Sequence, residues 1–366
     1  MIKAYKYKLK PSKRVVEAFE QTLDVCRELY NAALQERRDA WRVARKSITL
    51  YEQMHELTEI RAFDDDVRRM PSVIGRDPLK RLDKAFKTFF QRVKNGERGG
   101  FPRFKSCVRY NSFTADGAFK LCGDKLTLTR IGSVRLRLSR PIEGKIKTCT
   151  IKRQADGWFV VFAVEAEQCP YIPKTGASVG VDVGIENFAA LSTGETVENP
   201  KYLRKAEREI KLARRKIDKK KRGGANRRKA GRIYARKHLK VTNQRRDFFH
   251  KLSNQLIRRF DEIAVEDLNI SGLLKNHHLA KSISDAAWGT FLTILESKAA
   301  SAGRRVWKVP AAFTSQDCSQ CGERVKKSLS TREHRCIGCG LVLHRDHNAA
   351  INILGRADRL ASVGVS

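Results

Sequence analysis

Residues 178–191 read Ser178-Val179-Gly180-Val181-Asp182-Val183-Gly184-Ile185-Glu186-Asn187-Phe188-Ala189-Ala190-Leu191, which we interpret as two short apolar strands joined by a tight turn that contains glycine. The β-branched residues favour strands, and glycine favours the turn. Asp182 lies inside the first strand, between two valines. A carboxylate in such an apolar strand is costly unless its charge is compensated, and a metal ion is the natural compensator. The stretch therefore predicts a sheet that carries a metal ligand.

Two further acids occur in comparable settings. Glu266 ends a short apolar strand predicted at residues 262–268, and Asp346 precedes a helix predicted through residues 349–354. Each acid alone has a simpler explanation, as a strand-end turn residue or as an acid at a helix N-terminus. Three acids spaced by 84 and 80 residues in a strongly basic chain indicate a two-metal nuclease site. We expect Asp182 to bridge two Mg²⁺ ions, and Glu266 and Asp346 to hold one each.

The nearest alternatives to these acids are their sequence neighbours. Glu186 follows Asp182 closely, and Asp267 is adjacent to Glu266. Adjacent residues in a strand point to opposite faces, so Glu266 and Asp267 cannot both serve the same site. We predict that Asp182, Glu266 and Asp346 are the ligands.

Two Cys-x-x-Cys-Gly motifs lie shortly before Asp346. They contain Cys318, Cys321, Cys336 and Cys339, and 14 residues separate the two pairs. Four thiolates in two such pairs can bind one tetrahedral Zn²⁺, and the glycine after each pair permits the left-handed turn that directs both sulfurs inward. Four unrelated core thiols would not be expected at this spacing. We predict a zinc ribbon with one structural Zn²⁺ and no chemistry of its own.

The other five cysteines show no pairing pattern, which fits a reducing cytosol. They are Cys26, Cys107, Cys122, Cys149 and Cys169. The chain begins without an apolar signal segment, and its longest apolar stretch, residues 158–164, is far shorter than the roughly 20 residues of a membrane span. We expect a cytoplasmic protein that makes no use of a membrane. A length of 366 residues favours two or more domains.

The charge of the chain indicates a polyanionic partner. It has 75 Lys and Arg residues against 40 Asp and Glu, a net charge of +35. Residues 201–246 alone hold 21 basic residues and three acidic ones. A solvated helical face would mix the two signs to form pairs, and a membrane-binding helix would have an aromatic apolar face. We therefore predict that this segment contacts the phosphates of a nucleic acid.

The first half of the chain changes pattern twice. Alternation over residues 2–9 predicts a strand that stops at Pro11, and helical periodicity then predicts a small bundle with a loop at residues 64–71. Its two apolar faces are Phe19, Leu23, Cys26, Tyr30 and Ala33, and Leu79, Leu82, Phe86, Phe89, Phe90 and Val93. Strands are predicted at residues 126–129, 134–138, 148–152 and 158–165. Together they indicate a small antiparallel barrel or sheet over roughly residues 100–170.

Aromatic and basic residues alternate at the edges of this predicted sheet. The aromatic residues are Phe101, Phe104, Tyr110 and Phe113, and the basic ones are Arg103, Lys105, Arg109, Lys120, Arg135 and Arg137. Such a mixture is suited to stacking bases and holding phosphates. For each aromatic ring taken singly, packing in the core of the sheet is as good an interpretation as stacking on a base.

Several of these stretches resemble the TnpB family. They are Val181–Ala189, Val265–Leu268, Phe313–Gly322 and Arg345–Asn352, with Leu29–Leu34, Phe90–Lys94 and Gly100–Lys105 in the first half. TnpB proteins are transposon-encoded, RNA-guided DNA endonucleases with a RuvC-like nuclease domain, regarded as ancestors of the type V CRISPR effectors. By this resemblance Asp182, Glu266 and Asp346 match the RuvC triad. The four cysteines match the zinc ribbon between the last two acids.

The resemblance also implies partners and a location. The guide RNA would come from the transposon end, and the target would be double-stranded DNA beside a short transposon-associated motif. Base pairing would then select the sequence, while the protein reads duplex shape and backbone. The protein would work in the prokaryotic cytoplasm at the nucleoid. Oligomeric state does not follow from the residues.

The implied fold is an α+β multidomain one, with a helical bundle inserted in a small β-barrel, then an RNase H/RuvC-like α/β domain with an inserted zinc ribbon. The predicted segments are residues 1–10 (first strand of the barrel, or wedge, domain), 11–99 (helical recognition domain), 100–172 (remainder of the barrel), 173–312 (first part of the nuclease domain), 313–342 (zinc ribbon) and 343–366 (last part of the nuclease domain). Two alternatives stay open. One is a catalytically idle, RNA-guided DNA-binding regulator, and the other is a guide-independent nuclease or transposase.

Overall fold

The computed structural model describes residues 2–166, 172–328 and 331–364. The chain divides into two compact units, Met1–Gln168 and Cys169–Ser366. Each unit combines helices with a sheet, so the predicted combination of α and β structure is confirmed. Cys169 itself lies outside the described residues.

A seven-stranded antiparallel sheet forms the centre of the first unit. Its strands are β1 (Ile2–Lys10), β2 (Ser112–Ala115), β3 (Phe119–Cys122), β4 (Lys125–Leu128), β5 (Gly132–Arg137), β6 (Lys145–Gln154) and β7 (Gly157–Glu165). Their order is β2-β6-β7-β1-β5-β4-β3, so the N-terminal strand lies between two later ones. Within the described residues β2 pairs with β6 and β3 with β4, each on one side only. Closure into a barrel therefore stays a prediction.

Four helices lie between β1 and β2, as the predicted insertion requires. They are α1 (Lys13–Ala44), α2 (Leu50–Phe63), α3 (Asp65–Arg69) and α4 (Ser72–Lys94). The side chain of Ser12 accepts a hydrogen bond from the Val15 amide and so caps α1, while Thr49 and Glu52 form a reciprocal capping box on α2. The loop predicted at residues 64–71 is wrong in part, because Asp64 caps the short helix α3 by accepting from the Val67 amide.

The two predicted apolar faces of the bundle differ in outcome. All five residues of the first face are buried in α1, as predicted. On α4, Leu79 and Leu82 are buried, but Phe90 and Val93 are 60% and 53% exposed. The apolar face of α4 therefore continues beyond the core. Phe90 instead lies in a row of ring contacts with its neighbours Phe86 and Phe89.

A five-stranded mixed sheet forms the centre of the second unit. Its strands are β8 (Ser178–Val183), β9 (Asn187–Leu191), β10 (Thr196–Glu198), β11 (Glu262–Asp267) and β12 (Arg305–Pro310), in the order β10-β9-β8-β11-β12. The hairpin predicted from residues 178–191 is observed as the antiparallel pair β8 and β9. Strands β8, β11 and β12 are parallel, so their carboxyl ends meet at one edge.

The described helices of the second unit are α5 (Tyr202–Asp218), α6 (Ala225–Arg259), α7 (Ile270–Leu273), α8 (Ala280–Ala286), α9 (Trp288–Ser301) and α10 (Arg345–Ser362). Helices α6, α9 and α10 cover the two faces of the sheet. One face packs its valines against rings and aliphatic side chains of α6 and α9, including Phe249 and Phe291. The other face packs against Ile353 and Ala357 of α10.

A small hairpin precedes α10. It consists of β13 (Glu333–Arg335) and β14 (Val342–His344), paired antiparallel. Throughout the described chain, helices long and apolar enough to cross a membrane are lacking.

Candidate metal sites and nucleic-acid surfaces

Asp182 lies on the face of β8 that is turned toward α10. Its neighbours Val181 and Val183 belong to the core on the α6 and α9 side, so Gly180 and Asp182 take the opposite face. Helix α10 comes very close at this point, because a Cβ built on Gly180 would lie 2.0 Å from the carbonyl oxygen of Ala350. Only glycine permits this approach.

Glu266 lies on the adjacent strand and the same face. In the parallel pair β8 and β11, Val265 is opposite Val181. Ala264, two residues before Glu266, lies in the same core cluster as Ile353 of α10. Since residues two apart share a strand face, Glu266 is on the α10 side as well.

Asp346 reaches the same region from the first turn of α10. It precedes Ala350 by one helical turn, and residues four apart share a helix face. A Cβ on Gly184, just after β8, would lie 4.0 Å from the Oδ2 atom of Asp346. The three predicted acids therefore lie near one another at the carboxyl ends of β8 and β11, although their carboxylate oxygens are not all within 4.8 Å of one another. Their roles as ligands stay a prediction.

The charges of Glu266 and Asp346 act on Asp182. Burial raises the pKa of Asp182 well above its ordinary value, and the charges of Glu266 and Asp346 raise it further, while Arg345 lowers it. Burial also raises the pKa of Glu266, against the effects of a hydrogen bond from Thr314 and the charge of Arg356. Carboxylates that repel each other in a confined place fit a divalent cation with hard oxygen ligands.

The neighbouring acids differ in setting, as predicted. Glu186 is exposed and pairs with Arg332 at 2.9 Å. Asp267 is exposed at the end of β11, on the face opposite to Glu266. Both therefore remain outside the cluster.

The four predicted zinc ligands form a compact cluster. Among residues 2–166, 172–328 and 331–364, they are the one group of three or more potential metal ligands whose atoms all lie within 4.8 Å of one another. The sulfurs of Cys318 and Cys339 are 3.6 Å apart, and those of Cys321 and Cys336 are 3.4 Å apart. Thiolates about 2.3 Å from a tetrahedral zinc would be about 3.8 Å from each other, so the cluster fits Zn²⁺.

The backbone of the cluster has the predicted turns. Gly322 and Gly340 adopt φ values of 79° and 74°, in the left-handed region. Their amides donate to the carbonyls of Cys318 and Cys336 at 2.9 and 3.0 Å. Each glycine therefore closes a turn around its pair of sulfurs, and a zinc-ribbon-like cluster is present.

Helix α10 also holds the base of this ribbon, which the sequence did not reveal. The Asn348 side chain accepts from the Ser319 amide at 3.0 Å and donates to the Asp317 carbonyl at 2.8 Å. Asn352 donates to the carbonyls of Thr314 and Asp317. These asparagines are four residues apart and so share one helix face. The sequence pattern that could have predicted their contacts is this pair of polar residues on an otherwise apolar face.

The basic segment 201–246 occupies α5 and the first part of α6. Its three acids are all paired within this hairpin, Glu207 with Lys211, Glu209 with Lys237 and Asp218 with Arg214. Three acids leave most of the 21 basic residues in excess, and Arg228, Lys229 and Arg232 are exposed on α6. The hairpin is thus a strongly positive surface.

The aromatic edge predicted in the first unit is only half present. Tyr110 and Phe113 are buried, at 5% and 0% exposure, so base stacking, one of the two roles left open for each ring, does not apply to them. They fill the core instead, where Phe113 contacts Phe19. Phe101 and Phe104 are 46% and 42% exposed and remain available for such contacts.

Three family models match parts of the chain. A family model described as "Probable transposase" matches residues 161–277, and one described as "Cas12f1-like, TNB domain" matches residues 288–353, which include the cysteine cluster. A "Helix-turn-helix domain" model matches residues 1–46, where the structure has β1 and the single helix α1.

Relatives cover nearly the whole chain. One from Streptomyces pristinaespiralis, described as "Putative RNA-guided DNA endonuclease", is 37% identical over 96% of this chain and 88% of its own length. A second relative, InsQ from Escherichia coli K12, has the same description and is 27% identical over 99% of this chain and 94% of its own length. "TnpB-like protein L79" of Acanthamoeba polyphaga mimivirus is 25% identical over 60% and 45%. The chain belongs to the TnpB family.

The fold of this TnpB family member also resembles a solved structure. That of the mini-RNA-guided endonuclease CRISPR-Cas_phi3 aligns with a TM-score of 0.52 and 11% identity, covering 100% of this chain and 93% of the other. At this identity the likeness concerns the fold alone. Membership of the TnpB family rests on the sequence relatives.

Proposed function

We propose that this chain is an RNA-guided DNA endonuclease that cuts double-stranded DNA beside a short transposon-associated motif. The site is the RuvC-like cluster of Asp182, Glu266 and Asp346. The observation that supports the proposal is that the charges of Glu266, on β11, and Asp346, on α10, both act on the carboxyl of Asp182 on β8. The names of the relatives support RNA guidance and DNA cleavage.

The three acids have distinct parts in this proposal. Asp182, whose carboxyl is affected by the charges of both other acids, would be the ligand shared by two Mg²⁺ ions. Glu266 and Asp346 would hold one ion each. Two such ions, when bound, provide an activated water and neutralise the leaving oxygen of the phosphodiester. The carboxylates themselves fix where that chemistry takes place.

The rest of the chain binds the nucleic acids. The positive hairpin of α5 and α6 contacts the backbone of the guide RNA or of its heteroduplex with the target strand. The first unit grips the guide scaffold and the motif, with Phe101 and Phe104 as exposed stacking surfaces. The cysteine cluster binds one structural Zn²⁺.

The test is cleavage of a plasmid library by protein copurified with the RNA encoded beside its gene. Each plasmid carries a fixed target next to randomised flanks. We expect guide-dependent double-strand breaks that identify the motif, and their loss in Asp182→Ala. Glu186→Gln is the matched control, because this exposed acid pairs with Arg332 outside the cluster, and it should cut like the wild type.

Two other outcomes would replace the proposal. RNA and target binding without breaks in the wild type would indicate a catalytically idle regulator. Breaks that persist without RNA would indicate a guide-independent nuclease or transposase.

A further inference from the structure

Thr314 lies between β12 and the first pair of cysteines, at the start of the segment predicted as the zinc ribbon. Its side chain is buried, with 3% exposure. The hydroxyl donates a hydrogen bond to Oε1 of Glu266 at 2.5 Å, and lies 3.2 Å from the carbonyl oxygen of Ala311. A buried hydroxyl thus contacts one of the three acids directly, 48 residues away in the chain.

We propose that Thr314 is a positioning residue for Glu266, whose hydroxyl holds one carboxylate oxygen so that the other is left for a metal ion. The inference rests on the function proposed for the acidic cluster. A glutamate side chain has three rotatable bonds, and fixing it in advance reduces the entropy lost when it binds an ion. Partners of this kind around metal ligands are known to affect metal affinity strongly.

Helix α10 fixes the position of Thr314. Asn352 donates to the Thr314 carbonyl at 2.9 Å, and Arg356 donates to the carbonyls of Pro310 and Ala312 at 2.7 Å each. The same helix carries Asp346 in its first turn. Thr314 and Asp346 are therefore held by one rigid element, which sets the hydroxyl in a defined place relative to the cluster.

The experiment measures Mn²⁺ binding to the full-length, zinc-loaded protein by electron paramagnetic resonance, without nucleic acid. Thr314→Val removes the hydroxyl and keeps the shape, so we expect the affinity of the Glu266 site to fall about 10- to 100-fold. Thr314→Ser keeps the hydroxyl and should bind within about threefold of the wild type. Thr293→Val is the matched control, because the exposed Thr293 donates only to Gly289 within α9, and it should change nothing.

A Glu266→Gln variant separates this inference from the proposed function. If Glu266→Gln loses Mn²⁺ and Thr314→Val does not, the positioning role is wrong and the acidic site stands. If Glu266→Gln binds Mn²⁺ like the wild type, the proposed metal site itself is wrong, and the inference fails with it.

Structural damage is distinguished by the serine variant. Equal weakening by Thr314→Ser and Thr314→Val would show that the hydroxyl is not the cause, and would overturn the inference. In the guide-RNA complex we expect Thr314→Val to raise the Mg²⁺ concentration for half-maximal cleavage, with Thr314→Ser restoring it.

Discussion

Asp182 is the residue at which the proposed function and stability conflict most directly. Its folded-state pKa is raised by burial and by two nearby acids, so the folded protein holds this proton more tightly than the unfolded chain does. Stability is therefore lost as the pH rises above the ordinary aspartate value of about 3.9 and toward the raised folded-state value. Without a bound cation, the charge of Asp182 destabilises the fold at neutral pH.

This conflict predicts the behaviour of Asp182→Asn. We expect it to abolish cleavage and, without added Mg²⁺, to raise the free energy of unfolding at pH 7 by about 1 kcal/mol. Near pH 4 the difference should shrink, since the wild-type carboxyl is then protonated in the folded state. Urea unfolding of both proteins between pH 4 and 8 provides the measurement. A variant less stable than the wild type at pH 7 would contradict the assignment.

At the scale of elements, the contact between β8 and α10 determines whether the acids meet. Gly180→Ala would place a Cβ 2.0 Å from the Ala350 carbonyl, so α10 must move away and take Asp346 with it. We expect a loss of stability of about 1–3 kcal/mol, together with a large loss of cleavage.

The control for this change is Gly231→Ala. Gly231 lies inside α6 with nothing within 4 Å of an added Cβ, so alanine should raise stability by about 0.5–1 kcal/mol through helix propensity. Thermal unfolding of both variants tests the pair. Equal tolerance of alanine at the two positions would show that α10 does not pack on β8 as described.

Loss of one ligand of the cysteine cluster should affect only the structure close to that cluster. Cys336→Ser removes one of four ligands, so we expect zinc content to fall from one ion per chain toward zero. Amides of β13 and β14 should then exchange faster with solvent, because this hairpin of two three-residue strands is adjacent to Cys336. Amides of β6 in the first unit serve as the reference and should not change. Mass spectrometry reads both zinc content and exchange, and full zinc retention would refute the cluster.

The sequence predicted these elements unevenly, for physical reasons. The cysteine cluster and the β8–β9 hairpin follow from local spacing and turn chemistry, so they could be read from the residues. The four-residue strand β2 is too short to show a period, and it was missed. For Tyr110 the sequence left base stacking and core packing equally open, because its burial depends on distant packing. Thr314 and Glu266 are 48 residues apart in the chain, so no local sequence pattern could predict the hydrogen bond between them.

At the scale of the whole molecule, the net charge of +35 should govern how the protein associates with nucleic acid. Each basic residue that contacts a phosphate releases condensed counterions, so affinity falls with salt in proportion to the number of such contacts. Because the α5–α6 hairpin has a large excess of positive charge, we predict that it accounts for most of the salt dependence of nucleic-acid affinity.

Neutralising three exposed residues of this hairpin tests the prediction. Replacing Arg228, Lys229 and Arg232 by glutamine should reduce the slope of log affinity against log salt by about 2–3 for guide RNA. The variant R228K/K229R/R232K keeps every charge and should keep the slope, because phosphates are held here by charge rather than by side-chain shape. Filter binding between 50 and 300 mM salt, a range over which the Debye length falls about 2.5-fold, gives both slopes. An unchanged slope in the glutamine variant would place the RNA elsewhere on the protein.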